Sequence, residues 1–141
     1  MNGWIFVDTS ALYALLDADD DHHAAAARGW ERLLDDMESG RRRGITHYGV
    51  VVETSALVQR RLGMQAVGEL HGSVLEVLVV EDVDTDLHQR ALAAMLAAGR
   101  RNVSLVDWTS FELMRARRIT HALAFDDDFT ERGFHPPPST S

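Results

Sequence analysis

Four acidic residues sit where a fold could turn them into chemistry. Asp8 closes the apolar run Ile5-Phe6-Val7, and Asp126 closes Leu123-Ala124-Phe125. Strands of an open parallel sheet end on one shared edge, where ligands bind, so acids at two strand ends converge if both strands are central. Converging carboxylates repel each other, and a divalent cation relieves that repulsion. Each Asp is also well suited to cap a following helix, a role typically worth about 1 kcal/mol. For either residue alone, capping is the simpler reading.

Glu53 lies in Val50-Val51-Val52-Glu53-Thr54-Ser55-Ala56-Leu57-Val58, a segment apolar nearly all round. An ionised Glu there needs a partner, water or a cation. Arg60 or Arg61, one or two turns on, could be the partner. On the residues alone, pairing and cation binding weigh equally. Asp107 follows Ser104 at the spacing of a capping box. The same helix N-terminus could aim its carboxylate into a cleft, with Ser110 and Phe111 on its face. The two roles are compatible. Oxygen donors without Cys or clustered His select a hard cation, Mg²⁺ or Mn²⁺.

These acids need elements to position them. Trp4 to Val7 reads as a short strand running into a helix from Thr9 to Leu16. After the polar break Asp19 to His23, a second helix runs to about Met37 and is closed by Ser39-Gly40. A short run around Ile45 to His47 precedes a third helix from about Val50 to Leu62, and Met64 to His71 suits another helical turn or two. Val74 to Val80 is strongly β-branched and predicts a buried strand. Helices are expected over Asp84 to Ala98 and from Ser104 through Arg115, then a brief strand at Ala122 to Phe125 and a final turn from Asp126-Asp127-Asp128. Strands alternating with helices imply a parallel sheet covered on both faces.

Composition narrows the class. The chain has 141 residues, about one domain, and no interdomain linker or internal repeat stands out. The absence of cysteine excludes a disulfide scaffold, a thiolate zinc site and a cysteine nucleophile. No apolar stretch is long enough for a membrane span, and Met1 to Asp8 carries no basic leader, so a cytoplasmic protein is expected. The net charge of −8 is the opposite of what bulk electrostatic binding of nucleic acid requires. Any nucleic acid must be held by local patches or by metal. Arg41 to Arg43, Arg60-Arg61, Arg100-Arg101 and Arg115, Arg117 and Arg118 are the candidate patches, most of them ordinary solvated faces. The seven histidines show no HExxH-type spacing, and surface or capping roles suit them better.

The segments Val7-Asp8-Thr9-Ser10-Ala11-Leu12, Val52-Glu53-Thr54, Ser104 to Phe111 and Ala122 to Phe129 together resemble the ordered motifs of PIN domains, most closely the VapC-type toxins of bacterial toxin–antitoxin pairs. The resemblance runs from about residue 4 to 134, and its weight lies in the set of four acids in this order. It implies a three-layer α/β/α sandwich with a central parallel sheet of four to five strands, formed by residues 1–135 as a single domain; the Pro/Ser-rich composition of 136–141 separately predicts a disordered tail. It implies a divalent-metal-dependent endoribonuclease, with a metal-activated water attacking the RNA phosphodiester.

The resemblance carries over Asp8, Glu53, Asp107 and Asp126 as the acidic quartet. Asp8 and Asp107 are expected as principal Mg²⁺ ligands, with Mn²⁺ able to substitute, and Asp126 completes the site. Glu53 is expected to hold a second metal or orient the water. Ser110 and Asp128 are secondary candidates. Expected partners are RNA, a cognate antitoxin and a second copy of the chain, paired through the Val50 to Leu62 and Leu75 to Val80 regions. Two departures stand out: His135 leads into three prolines where the family continues with an edge strand, and Asp35 to Arg43 is long and charged.

The rival readings are weaker. A phosphatase with Asp8 as nucleophile normally needs a second Asp two residues on and a downstream lysine, but position 10 is Ser and the chain has no lysine. A PIN-like module that binds RNA or protein without cutting is the remaining alternative, and the presence of all four acids argues against it.

Overall fold

A computed structural model describes residues 3–138. Four strands, β1 (Trp4–Val7), β2 (Arg43–His47), β3 (Val79–Glu81) and β4 (His121–Leu123), form one parallel sheet in the order β3-β2-β1-β4. Phe6 pairs with Ile45 on one side and Ala122 on the other, which makes β1 central. Between the strands run α1 (Thr9–Leu16), α2 (His23–Glu38), α3 (Tyr48–Leu62), α4 (Met64–Glu69), α5 (Thr85–Ala98) and α6 (Leu105–Arg117), and α7 (Asp127–Glu131) follows β4.

Alternation along the strands divides the core between the two faces. Phe6 points to the face where Phe129 of α7 stacks at 6.0 Å, with Phe111 of α6 behind it at 5.0 Å from Phe129. Leu123 points to the other, where α2 approaches so closely that a Cβ on Gly29 would lie 2.8 Å from Leu123 Cδ1. The sheet is therefore packed on both sides, as its near-continuous apolar strands require.

The expected strand over Val74 to Val80 is corrected by the structure. Leu70–Val74 forms a turn of π-helix and Leu75–Val77 a turn of 3₁₀-helix, and only Val79–Glu81 pairs with β2. Leu70, Val74, Leu75 and Leu78 are all buried, which is the spacing of a helical face, whereas Val77 between them is 43% exposed. The apolar run is thus a coiled segment packed on the core, and its β-branched composition misleads.

At the other end, the shortened final strand is observed as a single bridge between His121 and His135, with Ala122 N–H donating to His135 O at 2.9 Å. The prolines then end the ladder. Of the expected disordered tail, residues 139–141 lie outside the described residues, while Pro137 and Pro138 are half-buried against Ile5 and Leu123.

The charged stretch before β2 closes on itself. Asp36 accepts Arg41 and Arg42, each at 2.9 Å, and Arg43 lies 4.4 Å over the Trp4 ring. Because Arg43 pairs with Trp4 at the start of β1, this cluster sits at the end of the sheet opposite Asp8. Among the described residues no helix is long and apolar enough to cross a membrane.

Candidate metal centre

Three of the four expected acids are held at the start of a helix, and Glu53 lies within α3. Asp8 follows β1 and caps α1: its Oδ2 accepts the Ser10 N–H at 3.1 Å and the Ser10 hydroxyl at 2.8 Å. Its other oxygen, Oδ1, is buried without a hydrogen-bond partner, on a residue only 3% exposed. Ser10 Oγ in turn accepts Phe125 N–H at 2.9 Å, which fixes the chain leaving β4. Asp107 makes the expected capping box, accepting Ser104 N–H at 3.0 Å while donating its own N–H to Ser104 Oγ at 3.1 Å. Asp126 caps α7 by accepting Asp128 N–H at 3.2 Å.

Capping and convergence coexist. Asp8, Glu53, Asp107 and Asp126 line one cleft of about 380 Å³, together with Thr9, Ser10, Asn102 and Arg101. Oxygens of Asp107, Asp126 and Asp128 all lie within 4.8 Å of one another. Asp8, expected as a principal ligand beside Asp107, falls outside that tight group while facing the same cleft, and the secondary candidate Asp128 falls inside it. Neither Arg60 nor Arg61 forms an ion pair with Glu53 among the described residues; Arg61 lies 5.5 Å over the Tyr13 ring instead. Thr54 donates to Thr9 Oγ1 at 3.1 Å, leaving the Thr9 proton free for Glu53.

The electrostatics are those of crowded acids, none of which forms an ion pair among the described residues. Burial pushes the Asp8 carboxyl up to about 7, against the pull of the Ser10 hydroxyl and N–H, and the charges of Asp107 and Glu53 add to the rise. Burial likewise raises Glu53 and Asp107, with neighbouring carboxylates adding to each. Asp128 is raised to about 6 by burial, then by its contact with Asp126. Perturbed groups gathered in a cleft are a mark of a functional site. A donor set of carboxylate oxygens alone, with one buried oxygen lacking any partner, fits a hard divalent cation.

Ser110 is not part of this lining. It is fully buried, its hydroxyl 2.9 Å from His47 Nε2 and donating to Val106 O at 3.0 Å. His47 caps α3 through Nδ1, which accepts Gly49 N–H at 3.0 Å and Val50 N–H at 3.4 Å. Nδ1 as acceptor leaves Nε2–H to donate to Ser110 Oγ. Burial lowers the His47 pKa to about 4, so the ring is neutral. One imidazole thus joins the start of α3, which carries Glu53, to α6, which carries Asp107.

A PIN domain model matches residues 5–135. The chain belongs to the PIN domain family. It is 38% identical over 131 residues to the 23S rRNA-specific endonuclease VapC20 of Mycobacterium tuberculosis, strain CDC 1551 / Oshkosh, covering 92% of this chain and 95% of that protein. The VapC20 of strain ATCC 25618 / H37Rv matches equally. The crystal structure of Mycobacterium tuberculosis VapC20, described as a sarcin-ricin loop cleaving toxin, superposes with a TM-score of 0.79 at 37% identity, over 92% of this chain and 95% of that one. The parallel sheet with helices on both faces is therefore the PIN fold.

Within this PIN domain, Thr9, Ser10 and Asn102 line the cleft without having been predicted as site residues. Thr9 and Ser10 stand beside Asp8 in a motif quoted for its acid, so proximity was the available signal. Asn102 precedes the capping box in a loop, and nothing in its neighbourhood marks it. Of the arginine groups, Arg101 alone reaches this lining. Arg100 is 3.7 Å from Glu131, Arg115 pairs with Glu112 at 2.9 Å, and Arg117 pairs with Glu81.

Proposed function

We propose that this chain is a Mg²⁺-dependent endoribonuclease, with Mn²⁺ able to substitute, and the toxin of a toxin–antitoxin pair acting on ribosomal RNA. The catalytic unit is the stretch 1–135. The observation that carries the reading is the convergence of Asp8, Glu53, Asp107 and Asp126 on one cleft, with the carboxyls of Asp8, Glu53 and Asp107 raised and, among the described residues, no arginine in an ion pair with any of the four. The 23S rRNA specificity of the VapC20 relatives suggests ribosomal RNA as the substrate class.

A divalent cation, when bound, supplies Lewis-acid polarisation of the scissile phosphate and a lowered pKa for an attacking water. Asp107, Asp126 and Asp128 would hold it, with Asp8 contributing its unpartnered Oδ1 from the floor of the cleft. Glu53, half-buried on α3, lines the same cleft, where it would hold the attacking water and take its proton. Arg101, at the rim, meets the negative phosphate backbone in a chain that is otherwise acidic.

The cognate antitoxin and a second copy of the chain belong to the same proposal, as does a cytoplasmic location. Tyr48 and Val52, 51% and 67% exposed on the first turns of α3, give a partner apolar surface beside Glu53. Attack by water leaves 5′-phosphate and 3′-hydroxyl ends. Mapping the termini of ribosomal RNA fragments made by the purified protein tests the reading. Cyclic phosphate ends, or no fragments in Mg²⁺ or Mn²⁺, would overturn it.

A further inference from the structure

A second cleft, of about 590 Å³, adjoins the acidic one and shares Ser10, Asn102 and Asp126 with it. On its wall the rings of His22 and Phe125 lie parallel, 4.7 Å apart at 8°. Both are tethered at the backbone: Phe125 N–H donates to Ser10 Oγ at 2.9 Å, and His22 N–H to Asp20 Oδ2 at 2.9 Å. Phe125 is half-buried and His22 exposed, and both line the cleft, with one face of the His22 ring taken up by Phe125. No metal-centre role explains this stack.

We infer that the outer face of His22, backed by Phe125, is a stacking platform for one nucleobase of the RNA substrate beside the scissile phosphate. The inference rests on the ribonuclease reading and adds to it where the RNA lies. Single-stranded RNA is recognised by bases splayed out and stacked on aromatic or histidine planes. Here the plane is preorganised, since the two rings already stack without ligand.

The charge around it selects a base over a phosphate. Asp20, Asp127 and Glu131 line the same cleft and repel the backbone, yet they accept hydrogen bonds from the amino and imino N–H groups of a base edge. The contrast with the next residue is instructive. His23 spends Nδ1 on Ala14 O at 2.8 Å, a structural bond, whereas the His22 ring makes no hydrogen bond among the described residues and is left for a ligand.

The test uses the full chain carrying Asp8→Asn, so that RNA is bound and not cut, titrated in Mg²⁺ with short single-stranded RNAs holding 2-aminopurine at successive positions. One position should be quenched on binding. His22→Ala should remove that quenching and weaken binding about five- to hundredfold, the range for loss of one base–aromatic stack. His22→Phe should restore both, since it keeps the plane and loses the imidazole. Phe125→Leu, checked by thermal melting, should weaken the effect from behind. Unchanged quenching in His22→Ala, or no rescue by His22→Phe, overturns the platform. Cleavage by the chain with Asp8 intact is read separately: its absence with quenching lost in His22→Ala defeats the nuclease reading and leaves His22 a base-stacking site of an RNA-binding module, and cleavage with quenching indifferent to His22 keeps the nuclease and overturns the platform.

Discussion

Ser10 Oγ lies 2.8 Å from Asp8 Oδ2 and accepts Phe125 N–H at 2.9 Å, so one hydroxyl binds the end of β1 to the chain leaving β4. It orients the most buried acid of the centre and sets the approach of the segment that carries Asp126. Groups that orient a metal ligand typically matter about 10- to 100-fold in affinity. Ser10→Ala should therefore weaken Mg²⁺ or Mn²⁺ binding about tenfold, measured by calorimetry, while the fold persists. Unchanged affinity would show that Asp8 needs no such support.

Asp8 should make metal-free stability depend on pH in an unusual direction. Burial holds its carboxyl at about 7 in the fold, against 3.8 in the open chain. Between those values the folded protein keeps a proton that the unfolded chain has released, so stability falls as pH rises through the window and levels off above it. Asp8→Asn, uncharged at every pH, should match wild type near pH 4 and exceed it by about 1–3 kcal/mol at pH 8. Denaturant melts in EDTA read this directly. A difference of the same size at both pH values would contradict it.

Asp107 has two duties that substitutions can separate. Asparagine keeps an oxygen for Ser104 N–H, while alanine loses the capping box. Asp107→Asn should lose cleavage with little change in melting. Asp107→Ala should lose cleavage and also about 1 kcal/mol of stability. Equal stability in the two variants would mean that the box contributes nothing.

His47 and Ser110 should be coupled in stability and silent in metal binding. Each is buried, and the bond between them spans 63 positions of the chain. Single alanine variants should each cost about 1–3 kcal/mol for the orphaned partner, with a coupling of about 1 kcal/mol in the double-mutant cycle. Ser110→Ala should leave Mg²⁺ affinity within about twofold. A larger loss would return Ser110 to the metal site.

What the sequence made legible is local, and what it hid is tertiary. Asp8 and Asp126 were readable because a carboxylate after an apolar run marks a strand end, and Ser104 with Asp107 because a capping box is a four-residue signal. The convergence of Asp8 and Asp126 followed from parallel strand ends, but that of Asp107 and Glu53 with them was read only through a family likeness, since no spacing encodes how α6 docks against α3. Ser110 shows the same limit. Its position on α6 was right, but the docking turned it toward His47 and away from the cleft.

The Val74 to Val80 run shows the complementary failure. β-Branched residues signal burial as much as strand, and here Val74 packs in a helical turn while only Val79 and Val80 reach the sheet. The pairing of Arg41 and Arg42 with Asp36 could have been suspected from charge alone, but the bend that brings them together is not written in residue types.

The most direct test of the account is cleavage of ribosomal RNA by the purified, partner-free chain, in Mg²⁺ and in EDTA, with Asp8→Asn and Asp107→Asn alongside as folded controls. The account predicts fragments from wild type in Mg²⁺ only, and a loss of at least about a hundredfold in both variants. Cutting that survives EDTA, or that either variant retains in full, would contradict a metal centre built on these acids.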